Sequence, residues 1–125
     1  MRRKALVIED NENNRYLLTL LLEHAGFEVV AASTGPSGIE RARAMTPDVI
    51  LLDIQMPEMD GYETAANLKN DPCLSSVPIV GVSSFAMPGD RGKALQAGFA
   101  AYIEKPVDPD TFGNTIARLA PGRTL

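Results

Sequence analysis

Cysteine and histidine each occur once in this chain. A lone Cys73 excludes an internal disulfide and agrees with a reducing compartment. A nucleophilic Cys-His pair would need His24, which lies on a predicted helix far away in sequence, so Cys73 reads as a packing or surface thiol. Basic charge is also in deficit: 12 Lys and Arg face 16 Asp and Glu, a formal net charge of -4. With a pI near 4.9, the chain is ill suited to non-specific nucleic-acid binding, because phosphate backbones attract basic faces. Its one basic run, Arg2-Arg3-Lys4, is short and terminal and reads as an aid to solubility. No hydrophobic run approaches the roughly eighteen residues that span a bilayer. The apolar stretch after that basic start is cut off by Glu9 and Asp10, too early for a signal peptide. Repeats, low-complexity tracts and interdomain linkers are missing too, and 125 residues leave room for one domain. The expectation is a single domain over 1–125, cytoplasmic, with no membrane insertion and no nucleic-acid partner.

What the chain does have is 45% hydrophobic residues, enough for a real core, in a regular alternation. Short β-branched runs separate helical patterns, which predicts βαβ units and a parallel sheet. After a first strand around Leu6-Val7-Ile8, Leu17, Leu20, Leu21 and Ala25 recur with helical spacing, and Gly26 stops that helix. The second strand runs from Glu28 to Ala32. Pro36 suits the first turn of a helix carrying Ile39, Ala42 and Met45, which Pro47 ends. Val49 to Leu52 is apolar throughout, as a central strand covered on both faces should be. Asp60 and Glu63 stand at capping-box spacing before Ala65, Ala66 and Leu68. A fourth strand spans Ile79 to Ser83. The fourth helix, around Lys93, Ala94 and Leu95, is weakened by Gly89, Gly92 and Gly98. A fifth strand covers Ala101 to Glu104, and the last helix is expected to open with Asp108 as cap and Pro109 in its first turn, burying Phe112, Ile116 and Leu119. Five strands and five helices give an α/β, doubly wound parallel sheet of natural order 2-1-3-4-5.

Open sheets of this kind bind ligands at the carboxyl ends of their strands, and four strands here end on reactive groups. Glu9 and Asp10 follow the first strand and Asp53 ends the third, which would set three carboxylates side by side. Such anions raise one another's pKa values unless a cation joins them. Hard oxygen donors suit Mg2+, with Mn2+ as a substitute. An acidic pair after a strand would alone mean no more than a loop; a further carboxylate at the end of an apolar strand, where charge is expensive, favours the metal. Ser83 and Lys105 offer a hydroxyl and an ammonium for phosphoryl oxygens, and Asp53 is the candidate nucleophile, since carboxylates form acyl phosphates.

The motifs Val7-Ile8-Glu9-Asp10-Asn11, Leu52-Asp53-Ile54-Gln55-Met56-Pro57-Glu58-Met59-Asp60-Gly61, Val82-Ser83-Ser84-Phe85-Ala86 and Tyr102-Ile103-Glu104-Lys105-Pro106 follow one another in this order. The chain thereby resembles, over nearly its whole length, the receiver domain of bacterial response regulators, a flavodoxin-like, CheY-like fold. The Phe85 to Asp90 run and the short carboxyl end are most similar to stand-alone regulators of the DivK type. Receivers attached to hybrid histidine kinases are the near alternative. The resemblance implies phosphorylation of Asp53 by a sensor histidine kinase or a histidine phosphotransfer protein, assisted by Mg2+ on Glu9, Asp10, Asp53 and the backbone carbonyl of Gln55. Ser83 and Lys105 would bind the phosphoryl group, across a cis bond before Pro106. Ser83 and Tyr102 would act as the switch that remodels the face of helix four, strand five and helix five. Gln55 and Phe85 would tune dephosphorylation, and Phe85, unable to hold an attacking water, implies a phosphorylated state that is not especially short-lived.

Such a domain is a phosphoacceptor rather than an enzyme acting on an external substrate. A metal-dependent aspartyl phosphatase or phosphotransferase wants a second acid two positions after the nucleophile, where this chain has Gln55. A flavin or nucleotide binder wants glycines and hydroxyls in its phosphate loop, where this chain has Glu9 to Asn13. A degenerate receiver would have lost an acid, Ser83 or Lys105. No DNA-binding element is evident after the last helix, so output is expected through a downstream protein target. The phosphodonor is expected to dock near the first helix, at Asn14, Arg15 and Leu18, although Leu18 could equally be core.

Overall fold

A computed structural model describes residues 3–56, 60–83 and 89–120. Phe85, with the rest of 84–88, and the 57–59 part of the second motif lie outside the described residues. Five strands, β1 (Lys4–Ile8), β2 (Glu28–Ala32), β3 (Val49–Asp53), β4 (Ile79–Ser83) and β5 (Ala101–Glu104), alternate with five helices, α1 (Glu12–His24), α2 (Gly35–Met45), α3 (Gly61–Asn70), α4 (Asp90–Gln96) and α5 (Phe112–Leu119). All strand pairs are parallel, in the order β2-β1-β3-β4-β5.

The period of two along a strand sends alternate side chains to opposite faces, and both faces are covered. From β1, Leu6 and Ile8 enter one cluster with Ile39 and Ala42 of α2, Ala65 and Leu68 of α3, and Ala94 of α4. Ala5 and Val7 enter the other, with Leu18 and Leu22 of α1 and Phe112 and Ile116 of α5. The central strands β3 and β4 are buried at every position, which explains why each is apolar up to its last residue, Asp53 or Ser83. Burial of each large apolar side chain is worth roughly 1.5–3 kcal/mol.

Two expectations require correction. In α1 the buried positions are Leu18 and Leu22, whereas Leu17 and Leu20 are each 43% exposed; Leu21 and Ala25 are half-buried. Leucines at 17, 18, 20, 21 and 22 satisfy more than one helical stripe, and the angle at which α1 lies on the sheet selects among them. Leu18 is therefore core, not a docking residue. At the other end, α5 starts at Phe112 with Thr111 as cap residue, later than an Asp108 cap requires. Asp108 instead organises the preceding turn: its carboxylate accepts from the Asp110 amide at 2.9 Å, a local bond that competes with helix initiation. Its carbonyl accepts from Thr111 and Phe112.

The other caps follow the sequence. Asn11 and Asp60 accept from backbone amides three residues on, and Thr34 and Ser37 form a reciprocal capping box. Arg3, read as a solubility residue, has a structural part: its guanidinium lies 4.9 Å from the Phe27 ring centre and donates to the Ala117 carbonyl at 2.9 Å.

Candidate functional site

Parallel register brings the strand ends to one edge. Asp53 pairs with Val82 and Ser83 with Glu104. The ladder also continues past the strands: Glu9 N–H donates to Ala32 O at 3.0 Å, Ile54 N–H to Val82 O at 3.0 Å, and Lys105 N–H to Ser83 O at 2.8 Å. Backbone hydrogen bonds thus set the positions of Glu9, Asp53, Ser83 and Lys105. Gly61 closes the third loop by allowing α3 to rest on the chain leaving β3: its N–H donates to Ile54 O at 2.9 Å. A Cβ there would stand 2.5 Å from the Ile54 Cα and 3.0 Å from the Asp53 carbonyl oxygen.

Among the described residues, the buried polar side chains are Glu9, Asp53, Thr64 and Ser83, and three of them belong to this edge. Thr64 has an internal explanation, donating to Asp60 O at 2.9 Å. Glu9, Asp10 and Asp53 each present a carboxylate oxygen within 4.8 Å of the others, Asp10 from the exposed side. Two charges at that spacing repel by roughly 3 kcal/mol even at an effective dielectric near 20. Lys105 compensates in part, with its Nζ 2.5 Å from Glu9 Oε1 and 3.7 Å from Asp53 Oδ1. Backbone amides add to this: Asn11 N–H donates to Glu9 Oε2 at 3.3 Å and Gln55 N–H to Asp53 Oδ1 at 3.1 Å. Burial above all, then the hydrogen bond and charge of Glu9, push the Asp53 carboxyl from 3.8 up to about 8, while the Gln55 amide and Lys105 pull it down.

An all-oxygen donor set with more negative charge than its one ammonium offsets, and a carboxyl that holds its proton for want of positive charge, fit a hard divalent cation. The structure brings together Glu9, Asp10, Asp53, Ser83 and Lys105 at this edge, with Gln55 in the exposed loop beside Asp53. The Lys105–Pro106 peptide is cis. Tyr102 lies on β5, separated from the Asp53 strand by β4, and is paired with Gly81. Its ring is already buried, 4% exposed, where a half-buried strand aromatic was one expectation. Arg91 of α4 stands over it, 5.7 Å from the ring centre, and donates to the Tyr102 carbonyl at 3.3 Å. The buried Tyr102 hydroxyl has no hydrogen-bond partner among the described residues. Sequence reasoning missed one contact: Arg15, read as a docking residue, turns its guanidinium onto the backbone carbonyls of Glu9 and Asp10. No sequence signal separates such an arginine from a solvated one.

Comparison with known proteins bears on the same edge. The profile of the response regulator receiver domain matches residues 5–117. The polar-differentiation response regulators DivK of Brucella ovis and Brucella anthropi are each 40% identical over 116 residues, spanning 93% of this chain and 94% of theirs. The chemotaxis protein CheY4 of Vibrio cholerae superposes with a TM-score of 0.89 at 26% identity, over 95% of this chain and 99% of that one. The receiver domain of a Pseudomonas aeruginosa sensor histidine kinase, solved with a magnesium ion coordinated in its active site cleft, superposes with a TM-score of 0.86 at 28% identity, over 95% and 98%.

Proposed function

The chain belongs to the response regulator receiver domain family, and from that premise we propose that it is a single-domain phosphoacceptor, spanning 1–125, whose Asp53 takes a phosphoryl group from the phosphohistidine of a sensor histidine kinase or a histidine phosphotransfer protein. The observation that carries the reading is the convergence of Glu9, Asp10 and Asp53 within 4.8 Å, with Lys105 3.7 Å from Asp53.

In this mechanism an Asp53 carboxylate oxygen attacks phosphorus; the new O–P bond forms as the N–P bond to the donor imidazole breaks, and the imidazole leaves with the electron pair and takes up a proton. Glu9, Asp10 and Asp53 would hold Mg2+, or Mn2+ in its place, with the Gln55 carbonyl as a further donor, and the cation would supply positive charge against the charge of the transferring group. Lys105, now paired with Glu9, is near enough to Asp53 to turn toward a phosphoryl oxygen on it, and the Ser83 hydroxyl donates to another. Burial of Asp53 keeps water from the acyl phosphate, and Gln55 and Phe85 set how fast hydrolysis follows. Engagement of Ser83 then alters the packing of Tyr102, whose ring sits inward, and so the α4–β5–α5 face offered to a downstream protein target in the cytoplasm.

The DivK relatives favour a stand-alone regulator. The likeness to a receiver from a sensor kinase supports a second reading, a receiver belonging to a hybrid histidine kinase. Turnover of an external phosphate ester is disfavoured, because Gln55 offers no acid. The test is incubation with acetyl phosphate or beryllofluoride and Mg2+. One modified site is expected by phosphate-affinity gel, abolished in Asp53→Asn, with NMR shifts at Ser83 and Tyr102; modification that persists in Asp53→Asn refutes the assignment.

A further inference from the structure

The corner between β1 and α1 carries two of the three clustered carboxylates, and its backbone is held from one side chain. Arg15, in the second turn of α1, donates from Nη1 to the Glu9 carbonyl at 3.0 Å and, more weakly, to the Asp10 carbonyl at 3.4 Å. Its own N–H is bonded to Asn11 O at 2.9 Å, and the Asn11 N–H in turn reaches Glu9 Oε2 at 3.3 Å. Thr19 Oγ1 donates to the Arg15 carbonyl at 2.7 Å, tying the base of the arginine to the next turn. The result is a closed circuit of hydrogen bonds: helix to arginine, arginine to the end of the strand, strand end to Asn11, Asn11 back to the helix.

We infer that Arg15 is a positioning residue for the cation site: by gripping the Glu9 and Asp10 carbonyls it holds the two carboxylates in their converging arrangement before any ion arrives. This rests on the reading of that site given above. Without such a grip, repulsion between the Glu9 and Asp10 carboxylates, which present oxygens within 4.8 Å of each other, would open the corner, since Asp10 is exposed. A guanidinium suits the task because it is always charged and offers donors in a rigid plane to more than one acceptor. Bonding to the carbonyls also adds no further donor to the carboxylate oxygens, which a direct Arg15 to carboxylate pair would do. Supporting groups of this kind typically change metal affinity by 10–100-fold.

The experiment titrates Mn2+ into metal-free wild type, Arg15→Met and Arg15→Lys by calorimetry and water-proton relaxation, with Arg43→Met as control. Arg43 pairs with Asp71 at 2.9 Å on the surface and touches nothing at the site. Arg15→Met is expected to weaken Mn2+ binding by about 10–100-fold and to speed amide exchange of Asn11 in the metal-free protein, while Arg43→Met changes neither. The Mg2+ concentration for half-maximal phosphorylation by acetyl phosphate should rise with the lost affinity. Arg15→Lys, which keeps the charge and stem, is expected to fall between and remains the test if Arg15→Met does not fold. Wild-type affinity in either folded Arg15 variant overturns the inference alone. Absence of Mn2+ binding to the wild type overturns the functional reading, and this inference with it.

Discussion

Replacing Asp53 with asparagine should stabilise the metal-free protein and flatten its pH dependence. Asp53 is 5% exposed, and burial, then Glu9, raise its pKa from 3.8 to about 8. A group whose pKa is higher in the folded than in the unfolded state binds protons more tightly when folded. Its contribution is fully present below about pH 4 and is lost as pH rises toward about 8. About three units separate 3.8 from pH 7, and at 1.36 kcal/mol each they amount to roughly 4 kcal/mol of lost stability. Asparagine removes the charge, keeps an oxygen for the Gln55 amide, and leaves its own NH2 buried at a cost of about 1–3 kcal/mol, so a net gain of roughly 2 kcal/mol is expected at pH 7. Urea unfolding in EDTA at intervals from pH 5.5 to 8.5 measures this. The wild type should lose stability against Asp53→Asn as pH rises, and Mg2+ should restore it in the wild type with little effect on the variant. Parallel stability curves for the two proteins, or a less stable variant at pH 8, would refute the reasoning.

The register of α1 can be tested with two leucines: Leu22→Ala should cost about 2–5 kcal/mol by emptying core volume, whereas Leu20→Ala, at an exposed position, should stay within about 0.5 kcal/mol by chemical denaturation. Lys105→Met leaves the buried Glu9 carboxylate without its ammonium, so chemical unfolding at pH 7 should show a loss of about 3–5 kcal/mol. Gly61→Ala forces a methyl against the backbone of Ile54 and Asp53; a fall in stability of at least about 1 kcal/mol together with slower phosphorylation by acetyl phosphate is expected, and wild-type values for both would contradict the close approach. With Phe85 unable to position a water, phosphorylated protein in Mg2+ should persist well beyond seconds when followed by phosphate-affinity gel; a half-life of seconds would count against this.

Local chemistry determined much of this protein in advance. The alternation of β-branched runs and helical stripes, the Asp60 cap and the all-apolar Val49 to Leu52 segment state a doubly wound sheet, because each reports a preference satisfied within a few residues. Parallel strands carry their carboxyl ends to one edge, so Glu9, Asp10, Asp53, Ser83 and Lys105 could be gathered on paper before any coordinate was known. Other features depend on what lies opposite in space. Which leucines of α1 are buried depends on the tilt of the helix over the sheet, since Leu17, Leu18, Leu20, Leu21 and Leu22 leave more than one stripe open. The start of α5 turned on Asp108 spending its side chain on a local turn. That Lys105 rests against Glu9 while also reaching Asp53, that Tyr102 lies inward beneath Arg91, and that Arg15 grips carbonyls instead of facing solvent are outcomes of charge and packing balanced among groups distant in sequence. Periodicity and capping act between neighbours and can be read along a chain; the partner of a buried charge is chosen by three-dimensional proximity, which only the folded molecule supplies.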